Sequence, residues 1–245
     1  MTDLAHVVAL EAASRAALPA LAEHRVGGWL LRVSGGETKR VNSVNPLSPG
    51  APVGAVVGEA ERLYAAHGLP CRFRLTPLAH ADTDDVLAEA GHAMADRSWT
   101  TVAPLTPRSV DPALHLTAVA DHRDLARVGL LSDRAGPALD AHVRLLAAIP
   151  GEKIFATLVE EGAPVAAGYG SIGEGRAQLS DIVVAPAARG KGFGRRLIAG
   201  LLGWAQGAGC REAMLQVLDD NNVARALYRS LGFTDVYPYH YRVGR

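Results

Sequence analysis

Only two cysteines occur in 245 residues, Cys71 and Cys210. Two thiols make no disulfide framework. Each precedes a strand-like run, so both are expected as buried free thiols. The chain also lacks a charge excess, with 25 basic and 25 acidic residues. Residues 1–112 hold 10 basic and 12 acidic groups, and the remainder 15 and 13. Neither half is a basic module, which argues against nucleic acid as the main partner. No stretch approaches the roughly 18 uninterrupted apolar residues of a membrane span. The early residues include acidic ones and no long apolar run, so no signal peptide is read and a cytoplasmic protein is expected. The nine histidines show no metal-ligand spacing, and no metal is assigned. Two nucleotide fingerprints are missing as well: no G-x-G-x-x-G follows a strand, and no glycine precedes Lys-Ser or Lys-Thr at the triphosphate-loop spacing.

What is present centres on Leu179 to Ile198. Ile182, Val183 and Val184 form a β-branched run that reads as a strand, and Pro186 ends it because proline cannot donate to a ladder. Arg189, Gly190, Lys191, Gly192, Phe193 and Gly194 follow. From Phe193 the period changes: Phe193, Leu197, Ile198, Leu201, Leu202 and Ala205 share one helical face. Strand, glycine-rich loop and helix N-terminus together make an anion site, because the first N–H groups lack partners and the dipole is positive there. Arg189, Lys191, Arg195 and Arg196 add charge. The expected ligand is a phosphate ester, a diphosphate foremost.

Along the rest of the chain, helices are expected at residues 4–22, 55–67, 82–90, 121–132, 138–148, 193–207 and 220–231. Strands are expected at Gly27–Val33, Lys39–Asn45, Cys71–Thr76, Arg97–Val102, Leu114–Val119, Ile154–Val159, Val165–Ile172, Ala213–Val217 and Val236–Val243. The second strand carries Arg40, Asn42, Ser43 and Asn45, a polar content that suits a solvated edge. Prolines 104, 107 and 112 mark a boundary, giving domains 1–112 and 113–245.

The pattern Arg189-Gly-Lys-Gly-Phe-Gly194 behind a strand ending in Val-x-Pro resembles the pyrophosphate loop of the GNAT (GCN5-related) N-acetyltransferases. Asn221-Asn-Val-Ala-Arg-Ala-Leu-Tyr228, ahead of Leu231-Gly-Phe233, resembles that family's second hallmark. The resemblance covers Leu114 to the C-terminus. It implies an α/β fold with a mixed sheet, acetyl-CoA as cosubstrate and an amine acceptor. It also implies roles: Arg189 to Arg195 on the coenzyme diphosphate, Ile182 to Val184 pairing with the pantetheine amides, and Tyr228 as general acid. Asn221 matches a coenzyme-contacting position, and a helix cap is the other account of it. Asp181 could take the acceptor's proton or serve as a structural acceptor. Tyr239, His240 and Tyr241 either line the acceptor pocket or pack in the core.

A repeat links the halves. Ala65–Leu75 echoes Ala205–Leu215, and Val86–His92 echoes Leu227–Phe233. Where the second half has its glycines and Arg189, the first has Leu47-Ser-Pro-Gly-Ala-Pro-Val53; where it has Tyr228, the first has Leu87. One working site and one degenerate structural copy are expected, a tandem GNAT arrangement with the acceptor in the cleft between the halves. A non-catalytic acyl-CoA-binding regulatory module is the alternative.

Overall fold

The computed structural model describes residues 3–35, 38–107, 111, 113–118 and 136–244. The first half runs α1 (Leu4–Ala17), β1 (Ala22–Val26), β2 (Trp29–Val33), β3 (Ser43–Pro46), α2 (Gly54–Ala66), β4 (Arg72–Leu75), α3 (Thr83–Glu89) and β5 (Ala93–Pro104). The second runs β6 (Leu114–Thr117), α4 (Gly136–Ala147), β7 (Lys153–Glu160), β8 (Ala163–Gly173), β9 (Arg176–Val184), α5 (Phe193–Gly207), β10 (Glu212–Leu218), α6 (Asn222–Ser230) and β11 (Thr234–Val243). The helix expected at 121–132 lies outside the described residues. No described helix is long and apolar enough to cross a membrane.

Three local expectations change. Gly27 and Gly28 are not strand but the turn of a hairpin, in which Ala22–Val26 pairs with β2. Lys39–Val41 is a 3-10 turn, with β3 beginning only at Ser43. Nor is β3 an edge: it lies between β2 and β4, and all four of its residues are buried. Its polar neighbours are satisfied internally rather than by water. Asn42 accepts from Ser34 N at 2.8 Å and donates to the carbonyls of Gly35 and Thr38 at 2.9 and 3.0 Å, pinning the turn.

Eleven strands form one mixed sheet, ordered β1-β2-β3-β4-β11-β5-β10-β9-β8-β7-β6. Its centre exchanges strands. β11 inserts beside β4, and β5 beside β10, and the two pair antiparallel with each other. In the repeat read from the sequence, β5 and β11 are counterparts, and each lies among strands of the other half. One continuous sheet crosses the boundary expected at residues 104–112.

Helices cover both faces. Leu197, Leu201 and Ala205 of α5 pack with Ala156, Leu158 and Leu179 below. On the opposite face α1 lies on β8 and β9, and α4 packs Leu145 and Leu146 against Phe155 and Tyr169. Buried Glu11 of α1 pairs with Arg74 of β4 and accepts from the Tyr237 hydroxyl of β11 at 2.5 Å. Burial, the largest single influence, would raise the Glu11 carboxyl, but Arg74, the Tyr237 hydroxyl and Arg15 together outweigh it and the net shift is downward.

Gly173 is what lets α1 sit so close. A methyl group there would stand 2.2 Å from Ala13 O and 2.6 Å from Ala17 N, both backbone atoms. Gly173→Ala must displace the helix, and overpacking of this kind costs about 1–3 kcal/mol. Urea unfolding of the variant is expected to show that loss; an unchanged midpoint would mean that α1 is not held against β8.

Candidate active site

β9 carries the irregularity on which the site depends. Its parallel pairing with β10 is confined to Ala177 and Gln178 against Ala213 and Met214. Beyond Gln178 the two strands separate, leaving the β10-facing backbone edge of residues 179–184 without a strand partner. A bulge sits in the same segment: Ala167 pairs with Val183 but Tyr169 pairs with Ser180. Asp181, within it, has φ +52°, a left-handed conformation that asparagine and aspartate adopt more readily than other side chains. The bulge breaks the alternation that a regular strand would give Leu179, Asp181 and Val183.

A cavity of about 650 Å³ opens on one side of this splay. Ile182, Val183 and Val184 form one wall, the loop Arg189 to Arg195 a second, and Asn221 with Tyr228 of α6 a third. Of the residues that the resemblance places on the coenzyme, Lys191 alone is not on the lining; it is exposed at the loop tip. Gly192 has φ +83° with open space over its Cα, and it starts α5 without a side-chain cap. The first N–H groups of α5 are thus left for a ligand, and Arg189 and Arg195 supply positive charge beside them. These residues fit a diphosphate, and the free edge of β9 fits a chain of amides. Arg196 does not belong with them: it is held by Asp111 at 2.6 Å and Glu160 at 3.3 Å. Asn221 both lines the cavity and caps α6, accepting from Ala224 N at 3.1 Å.

Tyr228 is 9% exposed and stacks edge-on with Phe233, ring centres 5.8 Å apart. Burial pushes its hydroxyl up to about 12. It stays protonated at any ordinary pH and can donate.

A second cavity, of about 380 Å³, opens on the α1 face. Both halves build it: Lys39, Arg40, Asp96 and Ser98 come from the first, and Asp181, Gln216, Tyr239 and Tyr241 from the second. Lys39 and Asp96 are paired across it. Tyr239 and Tyr241 are both buried core residues and lining residues. His240 points elsewhere, its Nε2 2.7 Å from Asp84. Asp181 lines this cavity while its neighbour Ile182 lines the other. His142 of α4, 4% exposed, places Nε2 2.6 Å from Asp181 Oδ2. Nothing in the sequence singled out His142, because the contact joins a helix and a strand some forty residues apart.

The corresponding place in the first half is closed. Ala51, in the loop that replaces the glycine-rich one, bridges to Ala79, and Gly50 N donates to Leu78 O at 2.9 Å. Trp29 Nε1 donates to Pro52 O at 2.9 Å, drawing the same loop onto β2. Leu87, the counterpart of Tyr228, is fully buried.

Comparison with known proteins agrees with this geometry. Residues 4–242 match the family model described as "Probable histone acetyltransferase Rv0428c C-terminal". A Bacillus subtilis (strain 168) protein, the uncharacterized N-acetyltransferase YobR, is 31% identical over 251 residues that span all of both chains. A GCN5-related N-acetyltransferase from Kribbella flavida superposes with TM-score 0.73 at 15% identity, covering 99% of this chain and 96% of that one. A tandem GNAT protein from the clavulanic acid biosynthesis pathway superposes with TM-score 0.58 at 15% identity, over 78% and 68%. With a family model matched nearly end to end and a full-length relative at 31%, the chain belongs to the GNAT N-acetyltransferases and is an acyltransferase of that family.

Proposed function

We propose that the protein moves an acetyl group from acetyl-CoA to the amine of an acceptor held on the α1 face, by direct transfer. The observation that carries this reading is that consecutive residues, Asp181 and Ile182, line two different cavities at one splay in the sheet. Donor and acceptor can then meet through the gap between β9 and β10. An acyl-CoA-binding module without chemistry needs only the first cavity; the second favours the enzyme. Residues 113–245 carry the donor site, and residues 1–112 are a degenerate copy that supplies a wall of the acceptor cavity. The two buried free thiols suit a reducing cytoplasm.

Bound acetyl-CoA supplies an acyl carbon whose C–S bond is exchanged for a C–N bond. The chain does the rest. The loop at 189–195 and the N-terminus of α5 hold the diphosphate, and the free edge of β9 aligns the thioester with the acceptor. Asp181 takes a proton from the ammonium, directly or through water, so that a neutral amine attacks. Tyr228 gives a proton or a hydrogen bond to the departing sulfur.

Calorimetry with acetyl-CoA tests the donor site. One coenzyme per chain is expected, because the first-half loop is bridged shut. Valine at position 192 would combine an unfavourable positive φ, roughly 1–2 kcal/mol for an L side chain, with bulk where the backbone must meet the ligand. Gly192→Val should weaken binding about tenfold or more, equivalent to ~1.4 kcal/mol. Two coenzymes per chain, or unchanged affinity in the variant, would refute the assignment.

A further inference from the structure

Behind the acceptor cavity lies a chamber of about 10 Å³, roughly the room for one water. Arg40 lines both spaces. Arg15, Arg32 and Arg74 line the chamber with Glu11 and Asn45. Of these four guanidinium groups, Arg74 is paired with Glu11 and Arg32 with Glu23, the latter at 3.0 Å. Arg15 and Arg40 have no carboxylate within 4.0 Å among the described residues. Arg74, 3% exposed, keeps Nε and Nη2 without hydrogen-bond partners, and Arg15 keeps Nη1 so. The cluster is positive by about two charges. Buried cations in excess are costly unless an anion joins them.

Arg40 is the member that a ligand can reach. Its Nη1 donates to Gln216 Oε1 at 2.6 Å and its Nη2 to Ser180 Oγ at 3.3 Å, both neutral acceptors. Arg32 fixes it from behind, donating from Nη1 to Arg40 O at 3.0 Å. Ser180 and Asp181 are consecutive, with Cα atoms about 3.8 Å apart. A cation awaiting an anion therefore stands close to the carboxylate proposed to deprotonate the amine.

From this juxtaposition, and resting on the amine-acetylation reading above, we infer that the acceptor carries a carboxylate near its amine. It is of the α-amino-acid type, and its carboxylate pairs with Arg40. Lys39 does not compete, being paired with Asp96.

The test measures thiol release from acetyl-CoA by the full chain, with a panel of free L-amino acids and the primary amide of each. Amidation removes the negative charge and keeps the amine. Because it also changes amine basicity, the quantity compared between proteins is the acid-to-amide ratio of kcat/KM. The wild-type protein should favour at least one acid over its amide by about tenfold to a hundredfold, the range of a charge-assisted hydrogen-bonded pair. The ratio should fall to about one in Arg40→Met and return in part in Arg40→Lys. Unchanged acetyl-CoA affinity by calorimetry shows that the variants are folded. If Arg40→Met does not fold, Arg40→Lys carries the test, since it keeps the charge and loses the fork that matches a carboxylate. The inference is overturned if no free amino acid is used, if the wild-type ratio is one or less, or if the ratio keeps its full wild-type value in Arg40→Met or Arg40→Lys. Turnover of amides without acids would leave amine acetylation standing. No turnover of either would overturn the inference and leave amine acetylation to be judged on amines of other classes.

Discussion

Replacing Asp181 by asparagine should lower turnover about a hundredfold at neutral pH, within the ~10²–10⁴ range of general acid–base catalysis. The substitution isolates chemistry from fold. Asp181 sits at φ +52° inside the bulge, and asparagine tolerates that conformation as well as aspartate does. The bulge should persist while the carboxylate's capacity to take a proton disappears. Buried His142 places its Nε2 2.6 Å from the Asp181 carboxylate. The sign of the pH effect follows from the acceptor. Below its pKa the amine is an ammonium and must lose a proton before it attacks, so the defect is greatest there. Above that pKa the free amine needs no base and the variant should approach the wild type. A pH profile of kcat/KM decides the matter: a loss uniform with pH, or none, would return Asp181 to a role in shaping the bulge.

The second large effect is at Tyr228. Tyr228→Phe keeps the ring packed on Phe233 and removes only the hydroxyl. It should lower kcat about ten- to a hundredfold, or ~1.4–2.7 kcal/mol, with acetyl-CoA affinity nearly intact. The effect belongs at the low end of general acid catalysis because a free thiol has a pKa of about 8.5, so the thiolate leaves without much help. Burial raises the phenol to about 12, and a raised pKa keeps the proton on as the medium becomes alkaline. The rate should accordingly show no alkaline fall from Tyr228 through pH 10. Full turnover in the phenylalanine variant would make Tyr228 a packing residue. The repeat offers a natural control, for the sealed half places Leu87 at the same position and has no donor there.

The cavity beside the glycine-rich loop was legible in the sequence because its parts are local. Glycines 190 and 192, the period change at Phe193 and the cap at Asn221 each depend on neighbours within a few residues. The cavity lined by Arg40 was not. Arg40 looked like a solvated residue of an edge strand; its partners Ser180 and Gln216 lie more than a hundred residues away. The polar run Arg40 to Asn45 has no apolar period because its hydrogen bonds are made inside the protein. Tyr239 and His240 are adjacent in sequence, but strand geometry sends them to opposite sides, one to the cavity and the other to Asp84. The exchange of β5 and β11 was likewise hidden, since the repeat identifies counterpart strands without saying which neighbour each will choose.

That exchange sets the order in which a growing chain can become a protein. β4 and β5 emerge early during synthesis, yet the strand that lies between them is residues 234–243. The first half cannot close its sheet as it leaves the ribosome, unlike a domain that folds as a unit behind the exit. For more than a hundred further residues, two strand edges destined for the sheet's centre stay open, and open edges invite pairing with other chains. The cavity lined by Tyr239 and Tyr241 is complete only when the last strand arrives.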